Sequence, residues 1–354
     1  MLLFRKLNER IKFKVMKGYK AFKKGMVCRD KQYKENTIFE EKKAVISKRG
    51  MHFCKEPLDV LEYYPLVDDN GNMSEFAEVE ALEDCKTDNK KYCTKKLKIG
   101  AKIDFSALVQ ASINLELKKT PTDETNIKNS SGDFAKIGLN GDFAKIGSSG
   151  DFSKIGSIGD FAKIGSSGDD VQIGSSGYSA KIGSSGYDAK IGSSGDDAQI
   201  GTSGDNAQIG SSGNYAKIGS SGYDAQIGSS GDFAKISSNG NSAKIGSSGN
   251  SAQIGSSGYD AQIGSSGDYA QIGSSGNSAR VTSNGNYSVI CCIGNNSIAK
   301  AKIGSWITLS EYKYNEKKNV NIPICVKTEY VDGKKIKANT FYKLKNGKFT
   351  ECYE

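Results

Sequence analysis

From Asn129 to Ile290 one short hydrophobic signature returns every nine residues: alanine, a polar residue, isoleucine. The segment holds 162 residues, eighteen units of consensus G-S-S-G-[DNY]-[FYDSN]-A-[KQ]-I. Isoleucine stands at 137, 146, 155 and at every ninth position to 290, replaced once, by Val281. Alanine precedes it by two, except at Ser153, Val171 and Ser288, and the second glycine of the unit is never replaced from Gly132 to Gly285. Alternate residues of a strand face opposite sides. In Phe134–Ile137 this predicts Ala135 and Ile137 inward and Phe134 and Lys136 outward, with G-S-S-G as the turn because glycine accepts positive φ. A period this short, sustained this long, predicts a β-solenoid in which each coil roofs the next.

Nine residues are too few to circle an axis, so two units per 18-residue coil is the natural closure, giving about nine coils and a rod of roughly 43 Å at strand spacing. Sorting by parity supports this. Three residues before isoleucine, the odd units read Phe134, Phe152, Asp170, Asp188, Asn206, Asp224, Ser242, Asp260, Ser278. The even units read Phe143, Phe161, Ser179, Asp197, Tyr215, Phe233, Ser251, Tyr269, Tyr287. Aromatics therefore gather on one side, and Tyr215, Phe233, Tyr269 and Tyr287 with Lys217 and Lys235 are the candidate binding residues. Stacked like residues also stabilise neighbouring strands, so the row has a structural reading beside the binding one. Tyr-Asp-Ala recurs at Tyr187, Tyr223 and Tyr259, on odd units.

The unit resembles the calcium-binding nonapeptide of bacterial toxins, G-G-x-G-x-D-x-U-x with U apolar. Here the aspartate directly follows the second glycine, as at Asp133, Asp142 and Asp151, and in many units it gives way to Tyr or Asn. Calcium takes six to eight oxygens, and such broken ligand rows predict none.

The flanks read differently. Residues 1–15 form a basic amphipathic extension, with Met16 an alternative start to Met1; residues 16–118 form a small α+β domain; 119–128 form a linker; 129–290 form the solenoid; and 291–354 form a β-rich cap. In the first domain Met16–Phe22, Gly50–Cys54 and Phe76–Leu82 predict strands, and Glu40–Ser47 and Pro57–Tyr64 predict helices, the second with proline in its first turn. In the last, Trp306–Tyr312, Ile322–Tyr330 and Thr340–Leu344 predict strands, with Asp332-Gly333 and Asn346-Gly347 as hairpin signals. Together they predict one small antiparallel sheet closing the rod. The fold class is thus mainly β. MKGYKAF (residues 16–22) and G-M-H-F-C-K-E-P-L-D-V-L-E-Y-Y (50–64) resemble an uncharacterised family frequent in phage and prophage genomes, joined there to short serine-glycine repeats. That resemblance implies a phage or prophage origin and brings no activity with it.

Composition sharpens the picture. Forty-two glycines among 354 residues and only 36% hydrophobic residues leave too little for one conventional core, and a capped rod removes that difficulty. The repeats hold 10 Lys/Arg against 14 Asp, net −4, between basic flanks of +7 and +6. The flanks would suit nucleic acid, but lysine alternates with glutamate there, and an ordinary Lys-rich surface is the favoured reading. Eight cysteines form no C-x-x-C pair and His52 is the single histidine, so no zinc site is expected. No secretory h-region or membrane-length apolar run is present, which predicts a cytoplasmic protein with reduced thiols.

The order strand, His52, tyrosines, then a strand with Glu78 and Glu80 faintly resembles ADP-ribosyltransferases, which implies Tyr19, His52, Tyr64 and Glu80 as actors on NAD; a structural histidine is the favoured alternative. The leading expectation is a non-enzymatic interaction protein with a protein partner, no catalytic residue, no cofactor and no metal. A transferase domain carried on a spacer and a virion or assembly element stand beside it. The oligomeric state is left open.

Overall fold

The computed structural model describes residues 15–66, 68, 74–103, 108, 111, 112, 115 and 127–352. The amphipathic extension and most of the linker expected from sequence therefore lie outside the described residues. The described residues fall into two compact units, within Met1–Tyr64 and Glu75–Asp104, and within Pro65–Ser74 and Phe105–Glu354.

The first unit is a seven-stranded antiparallel sheet in the order Ile38–Glu40, Lys96–Ile103, Glu75–Ala81, Met16–Phe22, Met51–Cys54, Lys91–Thr94, Lys86–Thr87. The three strands expected there are present, and Met16–Phe22 lies at the centre. Gly18 lets a neighbour approach: a Cβ there would stand 2.4 Å from the Cys54 carbonyl oxygen. Two expectations change. Glu40–Ser47 is no helix; Glu40 ends a strand and Val45 bridges back to Arg49. Pro57–Glu62 is a 3-10 helix, with Leu58, Val60 and Leu61 buried.

The second unit is the solenoid, with two walls of parallel strands. Each unit contributes the strand Lys/Gln-Ile-Gly-Ser, paired residue for residue with the strand 18 positions on: Ile146 with Ile164, Ile164 with Ile182. Even-numbered units form one wall and odd-numbered units the other. The isoleucines and most of the alanines are buried in one continuous core. The rod begins slightly earlier than expected, at Ile127–Ser130.

The turn, however, is not where the sequence placed it. Phe134 is not in the strand: it and its equivalents to Tyr287 hold the left-handed conformation, with φ between +53° and +58°, while no glycine of the repeats has positive φ. The invariant glycine is required by stacking instead. A Cβ on Gly213 would lie 2.0 Å from the Gly195 carbonyl oxygen of the coil below, and the same clash recurs along the rod. Only hydrogen fits between coils at that corner.

The cap also differs. In place of one sheet, two hairpins extend the two walls separately. Trp306–Asn315 pairs in parallel with Val289–Cys292 and then antiparallel with Val320–Tyr330. Phe341–Lys345 adds antiparallel to Ile298–Lys300 and pairs with Lys348–Cys352 across Asn346-Gly347, both at positive φ. Asp332-Gly333 is not a hairpin turn, since the strands flanking it belong to different walls.

Candidate functional site

The even wall places the sequence-predicted residues together. Lys217 and Lys235 are register partners on adjacent strands. Tyr215 and Phe233 precede those strands and stack with ring centroids 5.1 Å apart and planes at 6°. Tyr269 and Tyr287 stack at 5.5 Å and 25°. Ser251, between the pairs, interrupts the row. All four rings are about half exposed. Beside them runs a shallow groove of about 1560 Å³, from Asn129 to Cys291, walled by the Lys/Gln row and floored by glycine.

The two walls are not equivalent. On the even wall the strand glycines are largely open, and a Cβ on Gly165, Gly183, Gly201, Gly255 or Gly273 would meet nothing within 4 Å. On the odd wall the corresponding glycines are buried. Among the described residues no ion pair or hydrogen bond engages the ammonium groups of Lys145, Lys163, Lys181, Lys217 or Lys235, whereas Lys154, Lys190 and Lys244 of the odd wall have partners. Asp188 illustrates the reason: its pKa is raised by burial and by Asp170, while Lys190 beside it pulls the other way. At this position four odd units carry aspartate, at 170, 188, 224 and 260, where six even units carry aromatics.

The aspartates that suggested calcium have another task. Asp142 accepts the backbone N–H of Asp160 at 2.9 Å, Asp160 that of Tyr178 at 2.8 Å, and Asn214 that of Asp232 at 2.9 Å. Each side chain caps the next coil at the corner. A tyrosine at that position receives a rung and passes none on.

In the first unit, a separate pocket of about 210 Å³ is lined by residues including Tyr19, Lys20, Cys28, Arg29, His52, Tyr64 and Lys91. Lys20, two residues before Phe22 on the same face of the central strand, is buried. Its Nζ donates to the His52 carbonyl oxygen at 2.9 Å and to Cys28 Sγ at 3.4 Å. The Tyr64 hydroxyl also donates to Cys28 Sγ, at 2.9 Å. Burial lowers the Lys20 pKa and, with the hydrogen bond to Cys28, raises that of Tyr64. His52 Nε2 accepts the Ser47 N–H at 3.1 Å, and burial, then Lys20 and Lys91, pull its pKa down to about 4.

Residues 16–111 match the family model of a domain of unknown function (DUF7666). The chain carries a DUF7666 domain followed by a β-solenoid. No curated protein and no solved structure matches the chain.

Of the four residues drawn from the transferase resemblance, Tyr19, His52 and Tyr64 line the DUF7666 pocket and Glu80 does not. Glu80 bonds Lys98 at 3.1 Å and Lys17 at 3.7 Å instead. Sequence reasoning missed Lys20 and Cys28. The signal for Lys20 was its parity with Phe22 in an alternating strand; Cys28 lies on the two-residue strand Val27–Cys28, which has no periodicity to read. Among the described residues no cluster of three or more His, Cys, Asp or Glu is placed to hold a metal ion, and no helix is long and apolar enough to cross a membrane.

Proposed function

We propose that the protein is a non-enzymatic interaction protein whose solenoid presents its even wall to an elongated protein partner with acidic side chains. The observation that carries this reading is the asymmetry of the walls. The even wall has lysines without intramolecular partners, an open glycine floor and a flanking aromatic row. A long open groove crossing strands roughly 4.8 Å apart has room for an elongated segment, aromatic anchors supply contact area at small entropic cost, and the unpaired lysines favour carboxylates.

Capture by the tagged full-length protein is expected to fall about tenfold when Tyr215→Ala and Tyr269→Ala are combined. Lys217→Glu with Lys235→Glu should weaken it as well, and the odd-wall change Asp188→Ala should not. Equal capture by the double tyrosine variant, with its melting temperature unchanged, overturns the assignment of the face.

A phage or prophage origin, with a host or defence component as the partner, belongs to the same reading. It rests on the resemblance carried by residues 16–22 and 50–64. The neighbouring genes test it: phage genes alongside are expected, and a locus without any counts against it.

A further inference from the structure

The lining of the DUF7666 pocket is basic. Lys20, Arg29 and Lys91 line it, no Asp or Glu does, and Lys20 is buried among the Phe22 and Tyr33 rings at 5.4 and 5.2 Å. A buried cation without a carboxylate is costly unless something anionic completes it. Within hydrogen-bonding distance the polar atoms at Lys20 Nζ are the His52 carbonyl oxygen and Cys28 Sγ. Tyr64 approaches the same sulfur from another element. Two donors from separate parts of the fold thus converge on one half-buried thiol at a cavity. Arg29, next to it in sequence, holds φ +54° and donates to the Ser47 and Lys48 carbonyl oxygens at 3.2 Å, fixing its guanidinium beside the pocket. The other cysteines are placed differently: Cys54 is buried and its thiol pushed up to about 12 by burial, and Cys291 is exposed on the rod.

We propose that Cys28 is a nucleophile for a small anionic electrophile, with the Lys20 ammonium and the Tyr64 hydroxyl donating to its sulfur as the thiolate forms, and Arg29 and Lys91 drawing in the anion. In the step, the thiol proton leaves to solvent and the Lys20 ammonium compensates the thiolate; Sγ attacks the electrophilic carbon, an S–C bond forms, and the bond to the leaving group breaks with its electron pair. The pocket admits only a small molecule, and its cations select charge before reaction. Positive charge beside a thiol is the general setting of reactive cysteines, and a one-signed cleft raises the local concentration of the opposite ion.

Iodoacetate and iodoacetamide separate these effects, since they alkylate alike and differ in charge. In the full-length protein at low salt, peptide mass mapping follows Cys28 against exposed Cys291 as internal reference. The ratio of iodoacetate to iodoacetamide rates should be about tenfold higher at Cys28 than at Cys291, and should shrink in high salt. Lys20→Met should slow alkylation of Cys28 about tenfold while leaving Cys291 unchanged. Tyr64→Phe, which keeps the ring, should slow Cys28 less. If Lys20→Met does not fold, the two-reagent comparison on the wild-type chain still decides. A Cys28 that reacts no faster than Cys291 with either reagent, or that shows the same reagent ratio, overturns the proposal.

Discussion

The two glycines of one nonapeptide serve different ends. A Cβ on Gly213 would overlap the carbonyl of the coil below, whereas one on Gly201 would meet open space. Gly213→Ala should therefore destabilise the rod by about 3 kcal/mol or more, because the coils must part, while Gly201→Ala should stay within about 0.5 kcal/mol; thermal denaturation of both checks this. Ser237, Thr282 and Cys291 already replace the second kind, and nothing replaces the first. The inward serines are a second residue-level feature. Ser211 and Ser229 hydroxyls are buried without a hydrogen-bond partner, but where serine replaces the corner alanine a partner appears: Ser148 donates to Ser153 at 3.2 Å and Ser283 to Ser288 at 2.7 Å. Ser229→Ala should leave stability equal or raise it by about 1 kcal/mol, since it removes an unmet hydroxyl. His52 adds a pH dependence. Its folded pKa of about 4 lies below the ordinary 6.5, so the unfolded chain takes the proton first as pH falls. The contribution is whole above about pH 6.5 and is lost as pH drops toward 4. The stability gap between wild type and His52→Gln should close across that window; parallel curves would refute it.

At the scale of the element, the corner is the costly part of each coil. Every unit keeps a non-glycine residue in the left-handed conformation three places before isoleucine, which side chains other than Asn and Asp resist. The corner is held by backbone bonds between coils, such as Phe233 N–H to the Asn250 carbonyl oxygen at 2.9 Å, and by the Asp/Asn ladder. Two outcomes follow from this balance. Ser242→Asn should raise the melting temperature, gaining about 0.5–1 kcal/mol. Asn250→Ala should lose about 1 kcal/mol, by leaving the Asp268 N–H without its 3.0 Å acceptor. The inward isoleucine was legible, but the strand lies two residues later than Ala-x-Ile predicts: it runs Lys136–Leu139, with Ala135 before it and Gly138 and Leu139, the start of the expected turn, inside it. The corner was not legible. Alternation reports which side a residue faces, and Phe134 is exposed whether it ends a strand or sits in a turn. The reason for the glycine lies in the neighbouring coil, eighteen residues away, where local propensity carries no information.

For the whole molecule, the decisive problem is the open end of two parallel walls. Each wall is finished by its own hairpin, and on the even wall the outermost strand, Val320–Tyr330, carries Pro323. Proline withholds a donor at such an edge and discourages another chain from pairing. Removing residues 304–354 would strip these hairpins from both walls, and light scattering of the truncated protein should find concentration-dependent association. A monodisperse truncated rod would show that the hairpins are not needed as stops.

The sequence by itself determined the repeat, its 18-residue closure, the isoleucine and alanine core, and the gathering of aromatics on one side. These follow from periodicity, because a solenoid stacks each residue on its own equivalent and so copies the sequence period into space. What only the tertiary structure decided is what periodicity does not encode. It placed the invariant glycine against the carbonyl of the coil below, gave Lys154, Lys190 and Lys244 of the odd wall partners while leaving Lys217 and Lys235 of the even wall without them among the described residues, and split the cap between the walls. In the DUF7666 domain, which has no repeat, it brought Lys20, Cys28 and Tyr64 together from a central strand, a two-residue strand and the residues after a 3-10 helix. Contacts of that kind arise from how separate elements pack, and no local pattern announces them.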